Sequence, residues 1–278
     1  WWTDCDDVAA VRIACRAARA GLWNLKGIVL NACMPDSVSS MNAFCTAEQM
    51  ENLPLGIDLS AVEYGGNPPY QTVLASLPHT LAGNHAAEDG LALYLRLLSE
   101  ADGPVELLEI GYPQVLAALC AHPQGYRFLS EKVSCLWMMA GNWQNDGIGV
   151  ENNIARGPTS RRAAAYLFEH CPCPIVLLGW EVGASVISGT PETVPDPSDP
   201  LRMAFLAHGS SSWDPMLVLL ALTGDIGKAG YAIRRGYASA DPETGENRFR
   251  YADDGPHGYV VKTMPDPWYA AVLAEWLR

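Results

Sequence analysis

The chain is 278 residues long, 49% hydrophobic and only 18% charged, which supplies enough apolar material for a sizeable core and excludes an intrinsically disordered chain. Its net charge of −13 argues against nucleic acid or an anionic membrane surface as partner, and fits a neutral small molecule or one met through a metal. No apolar run reaches the roughly 18 residues of a membrane span.

The chain opens on Trp1-Trp2-Thr3-Asp4-Cys5-Asp6-Asp7-Val8-Ala9-Ala10, three carboxylates within four residues followed by an apolar stretch. Such a cluster is costly unless a cation neutralises it, and carboxylates are the hard oxygen ligands that Ca²⁺ or Mg²⁺ prefers. A helix cap is the competing explanation, because carboxylates favour helix N-termini. Residues 8–20 have helical spacing, with Arg12, Arg16 and Arg19 on one side. Residues 26–32 (KGIVLNA) read as a buried strand, 42–52 as a helix, and 53–59 (LPLGIDL) as a second strand. Residues 65–83, rich in Gly, Pro and Asn, predict a long loop. A helix over 89–99, a strand over 105–110 and a helix over 113–121 follow. Then come a strand over 133–139 (VSCLWMM), a loop over 140–149, a helix over 160–169 and a strand over 174–179 (PIVLLG). Residues 191–200 predict a surface loop, and the last forty residues carry turn signals and a terminal helix. This alternation argues for an α/β fold with a mainly parallel central sheet flanked by helices.

Polar residues collect just after the predicted strands, where such folds place their sites. Gly141-Asn142-Trp143-Gln144-Asn145 and Val150-Glu151-Asn152-Asn153 follow one strand, and Trp180-Glu181 follows the next. Ser211-Ser212-Trp213-Asp214-Pro215 opens an apolar helix, for which Asp214 alone would serve as a cap. Elsewhere the signals are weaker. Trp137, Met138 and Met139 read as core. The segment 65–69 is no phosphate loop, because no Lys follows it. Ser210 to Ser212 lack the Gly-x-Ser-x-Gly setting of a serine hydrolase. Arg161-Arg162 is most simply a solvated helix start. The eight cysteines, Cys5, Cys15, Cys33, Cys45, Cys120, Cys135, Cys171 and Cys173, read as free thiols of a reducing compartment, so a cytoplasmic location is expected. Cys171-Pro172-Cys173 lacks the second pair that would make a zinc site persuasive.

In four segments the chain resembles the inosine-uridine preferring nucleoside hydrolase family, and the likeness runs over nearly its whole length. Asp4-Cys5-Asp6-Asp7-Val8-Ala9 resembles the second half of an Asp-x-Asp-(loop)-Asp-Asp-Ala pattern. Asn145, Glu151 and Asn153 match a segment in which Asn precedes Glu-x-Asn by six positions. Residues 174–183 (PIVLLGWEVG) resemble the strand and turn that follow, and Ser212-Trp213-Asp214-Pro215 resembles a late His-Asp-Pro. The resemblance implies a single Rossmann-like catalytic domain over 1–278 and Ca²⁺-dependent hydrolysis of the N-glycosidic bond of ribonucleosides to ribose and free base. It implies a homodimer or homotetramer. It assigns Ca²⁺ to Asp7, Asp214 and the backbone carbonyl of Ile110, the ribose 2′-hydroxyl to Asp6, and the 3′- and 5′-hydroxyls to Asn145, Glu151 and Asn153.

Three departures from the pattern stand out. The Asp of the first half-motif, the family's base, would lie upstream of Trp1, and Asp4, which falls in the loop of the motif, is its nearest substitute. Ala32-Cys33 stands where the family has Gly-Asn. Trp213 replaces a His that protonates the leaving base; its ring can stack on a purine but donates no useful proton, which leaves His79 or His85 as the candidate acid. The alternatives are a homologue that binds a nucleoside or sugar without turning it over, and a hydrolase of another ribosyl compound.

Overall fold

A computed structural model describes residues 1–2, 4–64, 68–207 and 211–278. Two compact units emerge. The first comprises Trp1–Leu93, Ala184–Leu222 and Pro265–Arg278; the second comprises Tyr94–Gly183 and Thr223–Met264.

The first unit is built on a three-stranded parallel sheet, β1 (Ile28–Leu30), β2 (Leu55–Ile57) and β3 (Glu88–Asp89), in that spatial order. Its helix Asp6–Arg19 has acidic residues in the first turn and basic residues in the last, both favourable against the helix dipole. Along the basic side of this helix burial falls from Arg12 to the half-buried Arg16 and the exposed Arg19. Arg12 is buried, and its guanidinium meets Glu48 at 2.7 Å and Asp199 at 2.5 Å. Arg16 and Arg19 approach the same Glu48 at 3.8 and 3.9 Å.

The second unit holds β4 (Val105–Glu109), β5 (Val133–Met139), β6 (Gly149–Val150), β7 (Ile175–Leu178), β8 (Tyr231–Ala240), β9 (Glu246–Tyr251) and β10 (His257–Lys262). They form one sheet in the order β4-β5-β7-β10-β8-β9-β6. The pairs from β4 to β10 are parallel, and those from β10 to β6 are antiparallel. Helices Gln114–Ala121 and Pro123–Glu131 link β4 to β5, and Pro158–His170 leads toward β7. Parallel register places the carboxyl ends of β4, β5 and β7 at one edge, with Glu109 opposite Met138 and Met139 opposite Leu178. Gly111, the 141–151 segment and Trp180-Glu181 therefore leave the sheet on the same side, as the polar clusters predicted.

The α/β class is the expected one, and several boundaries differ. The loop predicted over 65–83 contains the helix Pro69–Ala75, which starts on two prolines suited to a first helical turn; residues 65–67 lie outside the described residues. The helix expected from 42 starts at Ser37, because Ser and Asn at its N-terminal end blur the periodicity. The last forty residues, read as turn signals and a terminal helix, also hold β9 and β10, which pair with β8 just before them. Gly236, Gly255 and Gly258 interrupt the alternation there, and each is crowded: a Cβ at Gly236 would lie 2.2 Å from the Arg250 carbonyl oxygen.

Candidate active site

In the first unit Asp6 and Asp7 open a helix, but capping does not explain them. Both are buried, and one carboxylate oxygen of each lies with one of Asp4 within 4.8 Å of one another. Asp214 is buried too and belongs to the same field of charge. Burial is the main reason that the carboxyls of Asp6, Asp7 and Asp214 are held above the usual carboxylate range. Neighbouring carboxylates add to it for all three. The Trp1 amino group opposes this at Asp7 by donating to Oδ1 at 2.5 Å. Four acids packed this way call for a positive charge.

Asp6 also answers a question left open by the sequence. Its Oδ2 accepts the backbone N–H groups of Trp213 and Asp214, both at 3.0 Å. The cap on the helix Asp214–Thr223 is therefore supplied in part by Asp6, and the Asp214 carboxylate is left for the acidic cluster. Asp4, which sequence places in a preceding loop, reaches the cluster and is its one half-buried member.

Tyr70 and Gln71 carried no signal, because they fall in the segment read as loop. Tyr70 is fully buried with its ring edge-on to Trp1, 5.5 Å between centroids. Burial, then Asp7 and Asp4, push its phenol upward. Neither the Tyr70 hydroxyl nor Gln71 Oε1 makes a hydrogen bond of normal geometry among the described residues. Carboxylates gathered beside a buried phenol oxygen whose partners lack normal hydrogen-bond geometry, all hard donors, fit a divalent cation such as Ca²⁺ or Mg²⁺.

In the second unit β5 runs out through Gly141, whose φ of +83° and whose Cβ position, 2.3 Å from the Trp143 ring, both require glycine. Trp143 stacks on Tyr259 at 5.8 Å and packs edge-on against Phe168 and Phe249. Asn145 and Asp146 then take left-handed φ values of 51° and 60° and are exposed. Asn tolerates that conformation better than most residues. The turn returns the chain to Glu151, which is buried and accepts N–H bonds from Gly141 at 3.0 Å and Asn153 at 2.6 Å. Burial pushes Glu151 up to about 7 in spite of these bonds. Asn153 is pinned by its amide to the Met139 carbonyl at 3.0 Å. Glu181, after β7, accepts the Trp143 N–H at 3.1 Å and is also raised by burial.

Fifteen per cent sequence identity separates this chain from a plant nucleoside hydrolase whose solved structure matches with a TM-score of 0.74, over 98% of this chain and 95% of that one. An inosine-uridine preferring nucleoside hydrolase from Bacillus anthracis matches equally, at TM-score 0.74 and 16% identity over 98% and 96%. The chain has the nucleoside hydrolase fold. A type III effector protein solved with adenosine diphosphate ribose also shares it, at TM-score 0.67 and 14% identity over 99% and 89%. No protein-family model matches the sequence, and no curated protein does.

On this nucleoside hydrolase fold the sequence-expected residues are distributed as follows. Asp6, Asp7 and Asp214 come together in the first unit, joined by Asp4. Glu151 and Asn153 come together in the second, while Asn145 stands exposed on its turn. Ile110, also in the second unit, is half-buried just past β4. Trp213 is half-buried beside the Asp6 cap. His79 and His85 are exposed, and His79 Nδ1 lies 2.8 Å from its own Leu77 carbonyl. Cys33 receives the Asn84 amide at 3.3 Å, and that amide also holds the Met34 carbonyl at 2.7 Å. Among the described residues no helix is long and apolar enough to cross a membrane.

Proposed function

We propose that this chain hydrolyses the N-glycosidic bond of ribonucleosides, giving ribose and free base, with Ca²⁺ held by Asp7 and Asp214. The observation that carries this reading is the acidic cluster of Asp6, Asp7 and Asp214, buried and with raised carboxyls, joined by the half-buried Asp4, on a fold shared with proteins described as nucleoside hydrolases. Calcium bound there would lower the pKa of a water and hold it for attack at C1′.

The other steps fall to the protein. Departure of the base leaves an oxocarbenium-like ribosyl cation, and the carboxylates stabilise that charge as it develops. Asp6, fixed by two backbone N–H groups, offers its other oxygen to the 2′-hydroxyl. Asp4, the half-buried acid, takes the proton of the attacking water. Glu151 and Asn153, oriented by the backbone at the end of β5, are assigned the outer ribose hydroxyls together with Asn145. These contacts turn binding energy remote from C1′ into positioning. Trp213 offers a ring to the base, and His79 is retained as the candidate acid for the leaving group. A cytoplasmic enzyme of nucleoside salvage, assembled as a homodimer or homotetramer, is the setting that this activity implies.

A panel of purine and pyrimidine ribonucleosides, assayed for reducing sugar with Ca²⁺, tests the reading. Ribose release that falls by at least about a hundredfold in Asp214→Asn supports it. Undiminished release by that variant contradicts it.

A second reading is a protein that binds a ribosyl compound without cleaving it, favoured by Trp213 in place of a His and by Cys33. Saturable binding of adenosine diphosphate ribose or a nucleoside in calorimetry, with no product formed, would select it.

A further inference from the structure

Three cysteines of the second unit meet at the end of the helix Pro158–His170. Cys171 is the C-terminal cap of that helix, and its Sγ lies 3.4 Å from Cys173 Sγ across Pro172. Cys120, from the helix Gln114–Ala121, neighbours the same Cys171 and titrates together with it. Cys171 is half-buried, while Cys120 and Cys173 are 2% and 3% exposed. One half-buried cysteine thus lies between two buried ones. The neighbouring Cys120 and Cys173 thiols, with the Cys173 backbone N–H and His257, outweigh burial and hold Cys171 below the ordinary thiol range.

Metal binding is the competing use of such a group. Among the described residues only Asp4, Asp6 and Asp7 bring three ligand atoms within 4.8 Å of one another. The thiols form a chain with Cys171 in the middle rather than a closed face, which suits exchange between two sulfurs more than coordination by three.

We propose that Cys171 is an oxidation site at which hydrogen peroxide forms a sulfenic acid that Cys173 resolves to a Cys171–Cys173 disulfide. In the first step the Cys171 thiolate attacks one peroxide oxygen, the O–O bond breaks, and hydroxide leaves. In the second, Cys173 sulfur attacks Cys171 sulfur, the S–O bond breaks, and the departing hydroxide takes up a proton to leave as water. Two thiols are oxidised by two electrons, and one peroxide becomes two waters. The sulfurs must close from 3.4 Å to the roughly 2.05 Å of a disulfide. Cys15 and Cys45 are another neighbouring thiol pair, but at 0% and 1% exposure peroxide does not reach them. They serve as an internal control.

The test uses the reduced full chain, one equivalent of hydrogen peroxide, and non-reducing peptide mass spectrometry with dimedone as the sulfenic acid probe. The wild type is expected to lose two thiols and gain a Cys171–Cys173 linkage that dithiothreitol reverses, about tenfold or more faster than loss at Cys15 or Cys45. Cys173→Ser is expected to hold dimedone-reactive sulfenic acid on Cys171. A Cys120–Cys171 linkage would overturn Cys173 as the resolving thiol. Loss at Cys171 no faster than at Cys15 would overturn the site itself. Mapping on the wild type decides both points even if the serine variant does not fold.

Discussion

Glu151 offers the sharpest physical test of the second unit. It is 5% exposed, accepts two backbone N–H bonds, and is raised by burial from 4.5 to about 7. A carboxyl whose folded pKa is raised binds its proton more tightly when folded. Its contribution to stability is fully present below pH 4.5 and is lost as pH climbs through 7. At about 1.4 kcal/mol for each pH unit of pKa difference, the loss comes to about 3 kcal/mol. Glu151→Gln removes the titration but leaves an amide NH₂ facing one of two N–H donors, at a cost of about 1–2 kcal/mol. At pH 5 the variant should therefore be less stable than the wild type by about that amount. Near pH 8 the gap should close or reverse, because only the wild type has lost stability on the way. Urea unfolding of both proteins at half-unit intervals from pH 5 to 8 reads the difference, in which the other titrating groups cancel. A gap that stays constant across this range would refute the claim that burial dominates over the two backbone hydrogen bonds.

The acidic cluster titrates in the same direction. With a chelator present, the carboxyls of Asp6, Asp7 and Asp214 should make the protein less stable as pH rises above about 4, and added Ca²⁺ at neutral pH should restore it. At a hundredfold excess over the dissociation constant the gain is about 2.7 kcal/mol, readable as a rise in melting temperature of several degrees. Asp6→Asn should abolish ribose release yet stabilise the chelated protein at pH 8, since it removes one buried negative charge. A fall in melting temperature there would contradict the electrostatic reading. Arg12→Met should cost about 3–5 kcal/mol, because Glu48 and Asp199 would lose a buried partner; a change below 1 kcal/mol would show that water reaches them. Trp143→Ala should cost about 3–5 kcal/mol in denaturant unfolding through the aromatic cluster with Phe168, Phe249 and Tyr259.

Much of this architecture was legible in the sequence, and the reasons differ by region. The parallel strands β4, β5 and β7 are short apolar runs with clear helices between them, so both their existence and the shared edge of their polar ends could be read. The meander of β8, β9 and β10 could not, because its strands alternate poorly and close-packed glycines break the pattern where backbones meet. In the acidic cluster, Asp6 and Asp7 were legible from residue type and spacing, and Asp214, which alone reads as a helix cap, only through the resemblance to nucleoside hydrolases. Asp4 was placed in a loop, because chain spacing does not show that the loop folds back onto the helix start. Tyr70 was missed for a related reason: a Gly/Pro-rich segment hid the short helix that buries it. The opposite limit applies to Arg12, where periodicity put three arginines on one side and only tertiary packing showed that Arg12 is internal.

The most direct test of the proposed chemistry is to follow inosine and uridine with Ca²⁺ in ¹⁸O-labelled water, with and without phosphate, and to weigh the sugar product. The account predicts free ribose carrying one ¹⁸O, equal amounts of free base, and no dependence on phosphate. Sugar phosphate as the product, or intact nucleoside after prolonged incubation, would contradict it.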